Sequence, residues 1–181
     1  MKINSDTKIC ISIAARPGDF GANFHNSAYK HLDLNWVYLP RKVEIAADLE
    51  RAISGVRGLN INGCSVSMPH KETVIQYLDE LDISAERIGA VNTIVRNENG
   101  SLVGYNTDFY GAKRALEKAE INGKEVIMIG AGGAAKAVGF AVKELGGVLT
   151  IANRTYDKAK ELSEKLNANV ILWKQVSKSS G

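Results

Sequence analysis

The feature that most constrains this chain is a glycine-rich turn between a strand-like run and a helical one. Val126-Ile127-Met128-Ile129 is a short, continuous apolar run of the kind that makes a buried strand. It passes straight into Gly130-Ala131-Gly132-Gly133-Ala134-Ala135 and a helical pattern over 133–145. A strand that bends this abruptly into a helix needs a residue without a Cβ at the bend, and Gly130 supplies it. Gly132 lets backbone come close to a bulky ligand group, and Ala135 is small enough for the helix to lie on the sheet. The first turn of such a helix has unpaired N–H groups and a partial positive charge, which together suit a phosphate. The spacing matches G-x-G-x-x-G/A with alanine in the third place, so residues Gly130, Ala131, Gly132, Gly133, Ala134 and Ala135 are expected to hold a dinucleotide. The competing reading is a purely structural strand–helix turn.

A second strand, over 148–152, leads into Asn153-Arg154-Thr155. A site for NAD usually places Asp or Glu there to accept from the ribose 2′-hydroxyl. Arg154 offers a charge-assisted pair to a 2′-phosphate instead. Asn153 and Thr155 add neutral hydrogen bonds, and Lys158, one turn on, adds charge. The expected cofactor is therefore NADP, against the alternative of an ordinary exposed arginine on a loop.

Upstream, strands over 9–14, 36–39 and 59–68 alternate with helices over 23–32, 44–53 and 72–81. Pro40 is expected to close the second strand, and Gly55 to Gly58 to break the second helix. Asn99-Gly100 between apolar runs over 91–95 and 102–105 signals a hairpin. A helix from Thr107 to about residue 120 follows, then the strand over 125–129, the glycine turn, a helix over 156–166 and a strand over 169–173. The tail, 177–181, reads as disordered. The fold class expected is α/β: a mainly parallel substrate-binding sheet domain (1–106), a linking helix (107–120) and a partial Rossmann-like dinucleotide-binding domain (121–181).

Composition narrows the function classes. The chain is 45% hydrophobic and 24% charged, the balance of a soluble globular protein. Its net charge of +3 comes from scattered lysines, which argues for a solvated surface and against a nucleic-acid partner. Cys10 and Cys64 lie far apart in apolar, strand-like settings, so they make neither a disulfide framework nor a metal site. No apolar run approaches the ~18 residues of a membrane span, and the N-terminus has no signal-peptide core. A cytoplasmic protein acting on a small molecule is expected, with room for a homodimer.

Four polar features fall where strands end: His25-Asn26, Ser65-Val66-Ser67-Met68-Pro69-His70-Lys71, Ala90-Val91-Asn92-Thr93 and Gly104-Tyr105-Asn106-Thr107-Asp108. Lys71 and Asp108 can exchange a proton with a substrate hydroxyl, and Asn92 can donate and accept. Each also has a plain structural reading: a solvated lysine, a first-turn charge on a helix, a turn-forming asparagine.

Taken together these segments resemble the shikimate dehydrogenase family. Ser67-Met68-Pro69-His70-Lys71 is similar to its V-T-[IM]-P-H-K segment, Ala90-Val91-Asn92-Thr93 to A-V-N-T, and Gly104-Tyr105-Asn106-Thr107-Asp108 to G-x-N-T-D. Gly130 to Ala134 and Asn153-Arg154-Thr155 are similar to G-A-G-G-A and N-R-T. The resemblance implies reduction of 3-dehydroshikimate to shikimate with NADPH, with Lys71 and Asp108 catalytic and Ser67 and Asn92 contacting substrate. Two departures stand out. The family's S-x-S-P-x-x-H-N loop, whose serines hold the substrate carboxylate, is here Asp19-Phe20-Gly21-Ala22-Asn23-Phe24-His25-Asn26. An ionised Asp19 would repel a carboxylate, and Arg16 is the compensating charge. This Arg16-Pro17-x-x-Phe20-Gly21 loop resembles the divergent shikimate dehydrogenase-like branch, which leaves a close analogue of shikimate, or another polyhydroxy carbonyl compound, as the substrate. The family also continues beyond the position of Gly181, so the chain reads as truncated at its C-terminus, and a non-catalytic NADP-binding fragment is the alternative to an enzyme.

Overall fold

The computed structural model describes residues 3–178. The chain divides into two compact units, Met1–Asn106 and Thr107–Gly181.

The first unit contains β1 (Lys8–Ala14), α1 (Phe20–His31), β2 (Trp36–Lys42), α2 (Ala46–Gly58), β3 (Gly63–Val66), β4 (Glu80–Leu81), α3 (Ile83–Ile88), β5 (Thr93–Arg96) and β6 (Leu102–Tyr105). The strands form one sheet in the order β2-β1-β3-β5-β6-β4. Only β5 runs against its neighbours, because the Asn99-Gly100 turn, with Gly100 at φ 89°, makes β5 and β6 a hairpin. Ile11 and Ile13 alternate inward from β1 to meet Leu49, Ile53 and Val56 of α2. The sheet is thus mainly parallel, as its alternating elements imply.

Several boundaries differ from the sequence expectation. Pro40 does not end β2, which runs to Lys42 and pairs Pro40 with Ser12. β2 lies at the sheet edge, where a missing N–H costs no ladder bond. Nor do the glycines break α2, which reaches Gly58. Fully burying Leu49, Ile53 and Val56 outweighs the ~1 kcal/mol that each helical glycine costs. The helix expected over 72–81 is a 3-10 turn at Thr73–Tyr77 followed by β4. The β-branched run Thr73-Val74-Ile75 disfavours helix. Asp79, bonded to Leu102 through both its backbone and its carboxylate, draws the chain onto β6. Helix α3 was not expected: with six residues it shows no periodicity, and its marks are the Asp82 cap and the left-handed Gly89 that ends it.

The second unit contains α4 (Thr107–Glu117), β7 (Glu125–Ile129), α5 (Gly133–Glu144), β8 (Val148–Asn153), α6 (Tyr156–Leu166) and β9 (Asn169–Leu172). Its sheet, β7-β8-β9, is parallel throughout. Helix α4, read in sequence as a link, groups with this unit, and its Lys113 ion-pairs with Glu144 of α5. Ala159, Leu162 and Leu166 line the buried side of α6 and meet Leu149 and Ile151 of β8. Gly139 lets α5 approach closely, since a Cβ there would stand 2.5 Å from Leu166. The tail expected to be disordered begins in a 3-10 helix, Trp173–Lys178, and 179–181 lie outside the described residues. Among the described residues no helix is long and apolar enough to cross a membrane.

Candidate functional site

In the first unit β1, β2, β3 and β6 run parallel, and β5 runs against them. The segments after Ala14, Lys42, Val66 and Tyr105 and the segment before Thr93 therefore gather at one edge of the sheet. Backbone bonds tie them together. Ser67 N–H donates to Ile13 O (2.9 Å), Val66 N–H to Asn92 O (2.8 Å), Asn92 N–H to Tyr105 O (3.0 Å) and Val91 N–H to Lys71 O (2.7 Å). Ser67, Lys71 and Asn92 thus occupy adjoining loops. The Thr93 hydroxyl donates to Asn92 Oδ1 (2.9 Å) and so sets which way the amide presents its NH₂.

Arg16 joins the same edge. Ala15 N–H donates to Met68 O (3.2 Å), and Arg16, Ser67, Met68 and Pro69 line an open groove of about 410 Å³. Asp19 does not line that groove. It is exposed at the start of α1 and its side chain makes no capping bond. His25 and Asn26 serve another purpose. The Asn26 side chain donates to Tyr38 O (2.9 Å) and accepts from Tyr38 N–H (2.8 Å), while the His25 ring stacks on the Tyr38 ring at 4.5 Å. They clamp α1 to β2.

Two buried polar residues behind this edge were not assigned a role from sequence. His70 is 1% exposed, and Asn106 is fully buried. Asn106 donates from Nδ2 to Ala90 O (2.8 Å) and from its backbone N–H to the Ser84 hydroxyl (3.1 Å), which itself donates to Asp82 (2.5 Å). This chain of bonds fixes the segment that leads into Asn92. Asn106 Oδ1 is buried without a hydrogen-bond partner among the described residues. The sequence signals only that Asn106 is a polar residue wedged between the apolar run of β6 and a helix start, and not which group it bonds. The two thiols are poor nucleophiles. Burial raises Cys10, and it pushes Cys64 up to about 12.

Asp108 lies in the first turn of α4, half-buried, in the second unit. There β7 bends into α5 through Gly130, whose φ of 120° is open to glycine and strained for other residues. Gly130 N–H is held by Ala152 O (2.8 Å). Gly132 stands at the cap position of α5 in extended conformation, without a side-chain cap and with open space where a Cβ would lie. The N–H groups of Gly133 and Ala134 thus begin a twelve-residue helix whose cap position, Gly132, supplies no side-chain bond, while Ala135 packs on the core. This cradle fits a pyrophosphate. At the end of β8 the Asn153 amide donates to Thr155 O (2.8 Å), shaping a loop that leaves Arg154, Thr155 and Lys158 exposed. Such a loop suits the far end of a dinucleotide bearing an extra phosphate.

Comparison with known proteins finds a family match in each half. The family described as "Shikimate dehydrogenase substrate binding domain" matches residues 20–94, and "Shikimate / quinate 5-dehydrogenase" matches residues 111–179. The chain is 49% identical over 145 residues to a shikimate dehydrogenase-like protein of Haemophilus influenzae, covering 80% of the chain and 52% of that protein. It is 46% identical over 169 residues to the shikimate dehydrogenase (NADP(+)) of Carboxydothermus hydrogenoformans, covering 91% of the chain and 59% of that protein. The crystal structure of a shikimate dehydrogenase in complex with NADP+ superposes with a TM-score of 0.83 at 40% identity, covering 94% of the chain and 63% of that structure. The chain therefore spans little more than half the length of the curated relatives it matches.

Proposed function

This chain belongs to the shikimate dehydrogenase family, and on that premise we propose that it serves an NADP-dependent oxidoreductase interconverting 3-dehydroshikimate and shikimate, or a close polyhydroxy analogue. The observation that carries the reading is the stitched edge of the first unit, where Lys71 and Asn92 stand in loops joined by the Val91–Lys71 bond of 2.7 Å. In this reading Ser67 and Asn92 hold substrate hydroxyls, and Arg16 holds the carboxylate. Lys71 carries the proton for the carbonyl oxygen that becomes the new hydroxyl, and Asp108 is the second acid–base group. The Gly130–Ala135 turn holds the pyrophosphate, and Arg154, with Asn153, Thr155 and Lys158, holds the 2′-phosphate. NADPH, when bound, supplies the hydride. The partner is a small polar molecule rather than a nucleic acid, and the setting is the cytoplasm.

The test is to add 3-dehydroshikimate to the protein with NADPH and follow absorbance at the nicotinamide band, while titrating NADPH and NADH separately. Consumption of NADPH in step with shikimate formed is the expected result. NADPH binding without turnover would mark the chain as a cofactor-binding portion only, and failure to bind either NADPH or shikimate would overturn the reading.

A further inference from the structure

The turn after β3 hides a histidine between two residues of the candidate site. His70 is 1% exposed, while Pro69 and Glu72 are exposed and Lys71 is half-buried. Its Nε2 lies 2.7 Å from the backbone oxygen of Val43, in the segment that follows β2. A carbonyl oxygen only accepts, so Nε2 carries the hydrogen and His70 donates. Val43, itself buried, donates its N–H to Ala14 O (2.9 Å) at the end of β1. The backbone N–H of His70 donates to Ser67 O (3.0 Å), and Ser67 N–H donates to Ile13 O (2.9 Å). These bonds close a circuit from β1 through Val43, His70 and Ser67 back to β1. The His70 side chain is its one link that is not backbone to backbone. Lys71 follows directly, with its own carbonyl taken by Val91.

We infer that His70 is a positioning residue: its buried hydrogen bond to Val43 fixes the turn that presents Lys71 and so sets how the Lys71 amine meets a substrate. Its bearing on substrate rests on the function proposed above, whereas the fixing of Lys71 does not. A leucine at position 70 fills much of the same volume but leaves Val43 O buried without a donor, and the turn must shift to relieve it. Glutamine places an N–H donor at nearly the same reach as Nε2 and keeps the circuit closed.

The experiment compares His70→Leu and His70→Gln with the unaltered full chain. Lys71 is methylated with formaldehyde and cyanoborohydride, with and without shikimate, and its rate is read by peptide mass spectrometry. Melting and NADPH affinity are measured alongside. In the unaltered protein and His70→Gln, Lys71 is expected to react at one rate and to be protected by shikimate. In His70→Leu its rate should change several-fold and shikimate affinity fall roughly tenfold, with NADPH affinity unchanged. Should His70→Leu fail to melt cooperatively, His70→Asn, whose amide stops short of Val43, replaces it with the same expected outcomes. Lys71 reacting in His70→Leu as in the unaltered protein would overturn the inference, as would His70→Gln behaving like His70→Leu. Absence of shikimate protection in the unaltered protein would overturn the substrate reading instead, and the ligand-free rates would still decide the role of His70.

Discussion

The two units hold their candidate-site segments in opposite ways. In the first, the loops at the sheet edge are tied to one another, and buried polar side chains such as His70 and Asn106 hold them from behind. In the second, the glycine turn has almost no side chains at all, and what it offers is the backbone of Gly132 to Ala134 at the start of α5. On the proposed function, the difference follows from the groups to be recognised. A phosphate is satisfied by any array of N–H groups and a helix end, so the local fold is sufficient. A polyhydroxy ring must meet individual side chains at fixed angles, so each loop needs an anchor.

That contrast can be broken or sharpened by substitution. The largest effect is expected from Lys71→Ala: loss of a positioned acid–base group should lower kcat by ~10²–10⁴-fold while leaving NADPH affinity intact, checked by steady-state kinetics and fluorescence titration. Equal damage to NADPH binding would mean that the two units do not divide the work in this way. Arg154→Ala should weaken NADPH by about 10- to 150-fold and hardly change NADH, because a hydrogen bond to a charged group contributes roughly 1.5–3 kcal/mol. Comparable losses for both cofactors would make the arginine a support for its loop.

Smaller effects should be confined to one unit. Asn106→Leu removes the donor to Ala90 O and should cost about 1–3 kcal/mol, seen by hydrogen exchange as faster opening of β5 and β6 with β8 unaffected. The smallest concerns Asp82, whose carboxyl is held below the usual carboxylate range, first by the Ser84 hydroxyl and then by the Ser84 N–H. A depressed value means that its stabilisation is present above the range where the unfolded aspartate titrates and is lost as pH falls through the folded value. Asp82→Ala, which removes the cap of α3, should cost about 1 kcal/mol at neutral pH. Its difference from the unaltered protein in urea titrations should shrink as the solution is made acidic, and a pH-independent difference would show that the cap acts without its charge.

How far the molecule was legible in its sequence also differs between the units. In the second, the strand–turn–helix, the next strand and helix and Gly130 itself were readable because each signal is local: an apolar run, a missing Cβ, a helical period. In the first, tertiary context overrode local signals. Gly55 and Gly58 stayed helical because of what α2 buries, and Pro40 stayed in a strand because that strand is at an edge. Lys71, Asn92 and Asp108 were legible as polar residues at strand ends. The anchors were not, because the partners of His70, Asn106 and Asn26 are backbone groups of Val43, Ala90 and Tyr38, which no spacing rule connects to them.

The Asn26 clamp has a consequence for how this protein behaves in a crowded solution. Odd-numbered residues of the β2 region bond to β1, as the Lys8–Asn35 and Val43–Ala14 bonds show, so Tyr38 and Pro40 turn their backbone outward. An outward row of free N–H and C=O groups is a template on which another chain can add a strand, the first step toward aggregates. Here Asn26 consumes both groups of Tyr38, and Pro40 has no N–H to give. The middle of the β2 border is thereby made a poor template by a single amide and a single ring.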